Sequence, residues 1–221
     1  MKRLLPLIVG LAVAVLCVRL GVWQLDRLGQ RRARNAVVEA QLALPPVRLP
    51  STLRPESLNY RRAVARGRFD FAAETVEVAR TFRGAPGVHL ITPLVLDDGT
   101  GVAVIRGWVY SPDGRTVDRA RLEEPETATV SGVLLPPSSD WRAVHPESLV
   151  AAYPRLPLVL RRTVSPGSLP GGIVVLDPPV IDEGRHLGYA IQWFSFAVIA
   201  VVGGAVLALK SDGSLSRSRP A

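Results

Sequence analysis

Two short stretches carry the side chains best suited to chemistry. "RHLGYAIQWF", residues 185–194, sets His186, Gln192 and Trp193 in the opening turns of an apolar run. "GVWQLDR", residues 21–27, sets Trp23, Gln24 and Arg27 where another apolar run closes, with Arg19 inside that run. An imidazole can ligate a metal, an indole offers a flat stacking surface, and a guanidinium forks onto a carboxylate. A flat apolar ligand with charged edges would suit this set. His186 would face a metal, Trp23 and Trp193 would stack, Gln24 and Gln192 would offer amides, and Arg19 or Arg27 would take carboxylates. The same residues equally suit a bare membrane boundary, with tryptophans in an interfacial belt, His186 at a helix start and Arg19 snorkelling.

The elements that must position them are two hydrophobic helices. Leu4 to Leu25 is interrupted only by Arg19 and Gln24, and at about 1.5 Å per residue its 22 residues cover roughly 33 Å, enough for a hydrocarbon core. The basic start Met1-Lys2-Arg3 also fits a signal peptide, yet the apolar run continues well past the cleavage-like Ala12-Val13-Ala14. Leu16 denies Cys17 the small neighbour that a lipoprotein acceptor needs. An uncleaved anchor is the reading. The second span, Leu187 to Leu209, has no formal charge and stops at Lys210. Within it Ala200, Gly204 and Ala208 follow the small-xxx-small spacing that lets another helix approach closely.

A single intervening segment joins the two spans, so Trp23-Gln24 and Gln192-Trp193 belong to the same leaflet. Trp193 falls about 20° around the helix from His186 and roughly 10 Å deeper. Lys2 and Arg3 at one end, with Lys210, Arg217 and Arg219 at the other, place both termini inside. Arg27, Arg31, Arg32 and Arg34 argue the other way. The organisation expected is residues 1–25 as transmembrane helix with a short basic N-terminus, 26–185 as an extracytoplasmic domain, 186–209 as the second transmembrane helix, and 210–221 as a cytoplasmic tail.

Charge and motifs exclude several functions. The net charge is +8, but between Asp26 and Arg185 only 21 arginines face 18 acidic residues. The rest of the excess flanks the spans, as membrane anchoring requires, which argues against nucleic-acid binding. A lone cysteine rules out an intramolecular disulfide and any CxxC metal or redox site. No phosphate-binding glycine loop, HExxH or GxSxG is present, and His89, His145 and His186 are far apart in sequence. The chain does not read as an enzyme.

The central segment reads as an α+β domain dominated by strands. Strand candidates are 63–69, 75–81, 89–96, 102–110, 127–135, 156–164 and 173–176, with a hairpin turn at Asp97-Asp98-Gly99. Helix candidates are 31–42, 115–122 and 146–152, and proline and glycine punctuate the joins. On strand 102–110, alternation puts Arg106 and Trp108 on one face with Gly107 opposite. The arginine would stack on the indole or pair with a carboxylate, and the glycine would admit another backbone, a structural role.

Four stretches together resemble the surfeit-locus (Surf/Shy) family of cytochrome c oxidase assembly factors. They are "GVWQLDRLGQR" (21–31), "PGVHLITPLVLDDG" (86–99), "VIRGWV" (104–109) and "RHLGYAIQWFSFA" (185–197). Gly21, Arg106, Gly107, Trp108 and Tyr189 belong to this signature. Ile105 stands where the family pattern often has a polar residue, and Arg31 replaces its usual lysine. The resemblance implies a non-enzymatic factor of a bacterial cell membrane and its respiratory chain, multi-pass, with the central domain outside the cytoplasm. It implies help in maturing subunit I of a haem-copper oxidase by binding or handing over haem a, with His186 at the iron and haem a synthase as a further candidate partner. A haem-free scaffold for subunit I and an unrelated extracytoplasmic adaptor are the competing expectations.

Overall fold

The computed structural model describes residues 4–136, 155–164 and 169–213. It divides into two compact units, one formed by the chain up to Val37 together with the chain from Ile181 onward, the other by Val38–Val180.

The first unit is a pair of helices, α1 (Leu5–Ala43) and α2 (His186–Gly213). Both contain stretches long and apolar enough to cross a membrane. Their outward side chains, such as Val15, Val198 and Leu209, are exposed, as expected of rods whose solvent is lipid. The stretches read as a span at Leu4–Leu25 and a separate helix at 31–42 are one rod. The polar sequence between them contains no proline and only Gly29, so nothing breaks the ladder before Pro45-Pro46.

The two helices run antiparallel, because Gly10 meets Ala200 and Gly204 while Gly21 meets Phe194. A Cβ on Gly10 would lie 2.5 Å from the Ala200 carbonyl oxygen, so the contact exists only because that position is glycine. Ala14, Cys17 and Ala197 are buried in the seam, with Trp193 and Ala200 packed against them.

The second unit is built on one seven-stranded sheet. Its strands are β1 (Val47–Leu49), β2 (Arg62–Phe69), β3 (Thr75–Phe82), β4 (Ala85–Leu96), β5 (Gly101–Tyr110), β6 (Thr127–Leu135) and β7 (Arg155–Arg162). The order is β1-β2-β6-β7-β5-β4-β3, and β2 also pairs with β4, Gly67 to Phe69 against Leu96 to Leu94. That last pairing closes β2, β6, β7, β5 and β4 into a ring. Closure is possible because β2 and β4 each divide one edge between two partners. β2 gives its first half to β1 and its end to β4; β4 gives its start to β3 and its end to β2. Leu94, Leu96, Val102, Val104, Val130, Leu134, Leu158 and Leu160 form the main core, and a closed ring leaves few unpaired edges for aggregation.

Six of the expected strands are present, and β4 begins four residues earlier than read. Residues 173–176 form only a bridge, Val174 to Trp108. Residues 115–122 do not form a helix: Asp113 takes the amides of Arg115 and Thr116 in a tight turn, and a single 3-10 turn follows at Arg119–Leu122. The helix read at 146–152 lies outside the described residues.

Candidate functional site

The helix pair brings two of the expected residues into direct contact. Nδ1 of His186 lies 2.9 Å from Oε1 of Gln24, half-buried, across 162 residues of sequence. A carboxamide oxygen only accepts, so Nδ1 donates to it, and Nε2 takes no part in this contact. Metal-ligating histidines are commonly fixed in this way: the partner on one nitrogen sets the tautomer and ring orientation of the other.

Three features hold that geometry. Gly21, one turn before Gln24, gives its surface to the Phe194 ring, which a Cβ would approach to 2.6 Å. Arg32 makes a two-pronged contact with Glu183 at 2.8 Å on each oxygen, and Arg31 and Asn35 reach Asp182. Exposed pairs of this kind contribute little singly, but here five hydrogen bonds gather on the two residues that lead into α2. The hydrogen bond from Arg32 keeps the Glu183 carboxyl below the usual glutamate range. Gly184, at φ +69°, turns the chain into the helix, and a Cβ there would sit 3.6 Å from Nε2 of His186.

The remaining candidates take other places. Trp23 is exposed with Arg27 stacked on it at 5.5 Å, and Arg27 also bonds Gln30. Gln192 and Arg19 are exposed on their helices, as is Tyr189. Trp193 packs against the helix seam and meets Phe196 edge-on at 5.9 Å. The structure therefore joins His186 to Gln24 and gives Trp193 to helix packing. The Asp182–Glu183 clamp and Gly184 were not singled out from sequence, although the acidic link opposite Arg31 and Arg32 offered charge complementarity as a signal.

The Arg-Gly-Trp stretch corrects a sequence expectation. Leu90 pairs with Gly107 and Ile91 with Ile105, so Arg106 is the extra residue of a β-bulge. The bulge breaks alternation and separates Arg106 from Trp108. Arg106 is fully buried over Phe69 and Phe71, whereas Trp108 joins Ile91, Ile105 and Val159 in another cluster. Arg106 pairs with two carboxylates, Glu74 at 2.5 Å and Glu124 at 2.9 Å, and it donates to Thr92 and the Leu122 carbonyl. Arg162, also buried, shares Glu124. Gly107 does admit another backbone: a Cβ would lie 2.6 Å from the Val174 oxygen. These contacts form a buried structural network.

Residues 11–198 match the model of the SURF1 family. The chain belongs to that family. Among its relatives is the cytochrome oxidase assembly protein SHY1 of Saccharomyces cerevisiae, 29% identical over 188 residues. The match covers 78% of this chain but 48% of the yeast protein, so the chain spans about half the length of that relative. An uncharacterized SURF1-like protein of Mycobacterium bovis is 27% identical over 89% of this chain and 79% of its own length. A SURF1-like protein of Rickettsia felis is 24% identical over 88% and 93%. In this SURF1-family chain the match begins inside α1 and ends inside α2, so both His186 and Gln24 fall within it.

Proposed function

We propose that this protein is a non-enzymatic assembly factor for a haem-copper cytochrome c oxidase. It assists maturation of subunit I by holding haem a at the membrane boundary, with Nε2 of His186 toward the iron. Family membership and the printed role of the yeast relative support oxidase assembly. The single observation that carries the haem reading is the hydrogen bond from His186 to Gln24, which orients the imidazole as the partner behind a metal-ligating histidine does. Haem a, if bound there, would supply the iron, and His186 would be the residue that holds it. Trp23 and Arg27, exposed on α1, offer a stacking surface and a cation for a carboxylate.

On this reading α1 and α2 both cross a bacterial cell membrane, both termini are cytoplasmic, and the strand domain lies outside. Pairing of Arg31 and Arg32 with Asp182 and Glu183 supports that orientation, since neutralised arginines exert less positive-inside pull. Haem a synthase and subunit I are then its neighbours.

The test is to purify the full-length protein in detergent from cells that make haem a. The parent carries the haem a absorbance band, and His186→Ala loses it while retaining the fold. An unchanged haem content in that variant overturns the ligand assignment. Undiminished co-purification of subunit I when haem a synthesis is blocked favours a haem-free scaffold instead.

A further inference from the structure

The strand domain holds a second cluster of charged residues, remote in sequence from His186 and Gln24 and separate from the Arg106 network. A cavity of about 230 Å³ is lined on its polar side by Glu77, Arg80, His89 and Arg161, and on its apolar side by residues including Ile105 and Val159. Nδ1 of His89 lies 2.8 Å from Glu77, and Arg80 pairs with the other oxygen of the same carboxylate. Glu77 is thus fully committed.

Arg161 has no such partner. Among the described residues no carboxylate lies within ion-pair distance of its guanidinium, and its buried Nε–H has no acceptor. Arg80 likewise keeps a buried Nε–H without an acceptor. Burial pushes the Arg161 guanidinium below its ordinary pKa; the Glu77 charge opposes this, and the Arg80 charge adds to it. With Glu77 committed to Arg80 and His89, the Arg161 guanidinium stands beside an open cavity without a carboxylate of its own. Arg161 is half-buried, and a partly desolvated cation without a counterion is costly.

The backbone is distorted at the same place. Between Glu77 and Arg80, β3 carries one residue more than β4 opposite, and Ala79 sits at φ +55°. A left-handed alanine is strained, and this one is held by a hydrogen bond from its amide to the Gly114 carbonyl. The bulge brings Arg80 back toward Glu77, and the Trp108 indole donates to the Arg80 carbonyl at 3.2 Å. Strain of this kind concentrates at ligand sites, where re-aiming one side chain is worth its cost.

We infer that this cavity is a binding site for a small monocarboxylate, whose charged end is held by Arg161 with Arg80 and whose apolar body lies against Ile105 and Val159. One guanidinium without a carboxylate calls for one negative charge. A dianion would meet the fixed Glu77 carboxylate, and the apolar wall disfavours a fully hydrated oxyanion. A cavity of about 150 Å³ is enough to hold benzene, so one of about 230 Å³ admits a short-chain acid.

The test uses the full-length protein in detergent with its histidines labelled with nitrogen-15, titrated with butyrate. The His89 resonance, assigned with His89→Gln, is expected to shift saturably with a dissociation constant on the order of 1 mM. Butyramide, of the same shape without the charge, should leave it unmoved. Arg161→Gln should weaken butyrate at least tenfold while its melting temperature stays level or rises, because a partly desolvated charge without a counterion has been removed. Absence of a saturable shift in the parent overturns the site. So does equal binding by Arg161→Gln, or equal binding of butyramide. Inorganic phosphate displacing butyrate with higher affinity overturns the assignment to a carboxylate. The parent titration requires no variant to fold, and none of these measurements depends on haem.

Discussion

Nδ1 of His186 and Oε1 of Gln24 lie 2.9 Å apart although 162 residues separate them in the chain. The contact joins the start of one apolar helix to the end of the apolar part of another. It makes Nδ1 the donor and leaves Nε2 outside the contact. Gln24→Leu removes the acceptor and frees the ring to rotate. On the haem reading, haem a affinity then falls about 10- to 100-fold, the usual loss when the group behind a ligating histidine is removed. Gln24→Glu keeps an acceptor and should retain haem. Absorbance titration of the two purified variants checks this; equal affinity in Gln24→Leu and the parent would show that the amide does not tune the ligand.

Helix contact depends on Gly21 in a way that can be isolated. Its missing Cβ is occupied by the Phe194 ring at 2.6 Å. Gly21→Ala should therefore cost about 1–3 kcal/mol, as overpacking does, and lower the melting temperature in detergent. Adding Phe194→Leu should recover most of that loss. Gly10→Ala should have no comparable remedy, because its obstacle is the Ala200 carbonyl oxygen rather than a side chain. A Gly21→Ala protein that melts like the parent would mean that the helices separate more easily than this packing requires.

Much of this architecture was legible in the sequence. Apolar length marked both membrane-length helices, and alternation with turn residues marked β2 through β7 closely, including the hairpin at Asp97-Asp98-Gly99. What alternation could not show is a bulge. One extra residue at Arg106 sends it to Phe69 and Phe71 and leaves Trp108 on the other side, and no local pattern announces that shift. The same is true of Ala79 in β3. Closure of the ring through β2 and β4 is a long-range pairing, set by which edges remain free after β1 and β3 have taken theirs. At the candidate site, His186 and Gln24 were both legible as residue types. Their contact was not, because helix rotation is fixed by Gly21 and Gly10 meeting their particular partners. Residues 115–122 were misread because their charges and aliphatic residues fit a helical period, while Asp113 takes the amides that would have opened it.

The buried Arg106 network should be fragile to the loss of its centre. Arg106→Met leaves Glu74 and Glu124 without their shared cation inside the strand domain. Removing one partner of a buried pair costs about 3–5 kcal/mol, since the other charge stays desolvated. Arg106→Lys should recover only part of this: a single ammonium cannot reproduce the separate contacts of Nε, Nη1 and Nη2 with Thr92, Glu124 and Glu74. Thermal unfolding followed by tryptophan fluorescence separates the cases, because Trp108 reports from the neighbouring cluster. Equal melting of Arg106→Met and the parent would remove the network from the account of stability.

Glu77 should make the strand domain acid-sensitive. Burial opposes its ionisation, but hydrogen bonds from His89 and Arg80, with their charges, outweigh that and hold its carboxyl below the ordinary value of 4.5. A depressed pKa means that the folded state binds the proton less readily than the unfolded chain does. The stabilisation is therefore complete above the ordinary glutamate value and is lost as pH falls through the folded value. Melting temperature measured downward from neutral pH should fall below about pH 4.5, and Glu77→Gln should flatten that part of the curve while lowering the plateau above it. The plateau falls because a neutral amide no longer balances Arg80, and two cations then face each other across the cavity. Butyrate should restore part of the lost plateau in Glu77→Gln by supplying the missing negative charge. Parallel acid limbs in the variant and the parent would show that other carboxylates govern the loss of the fold.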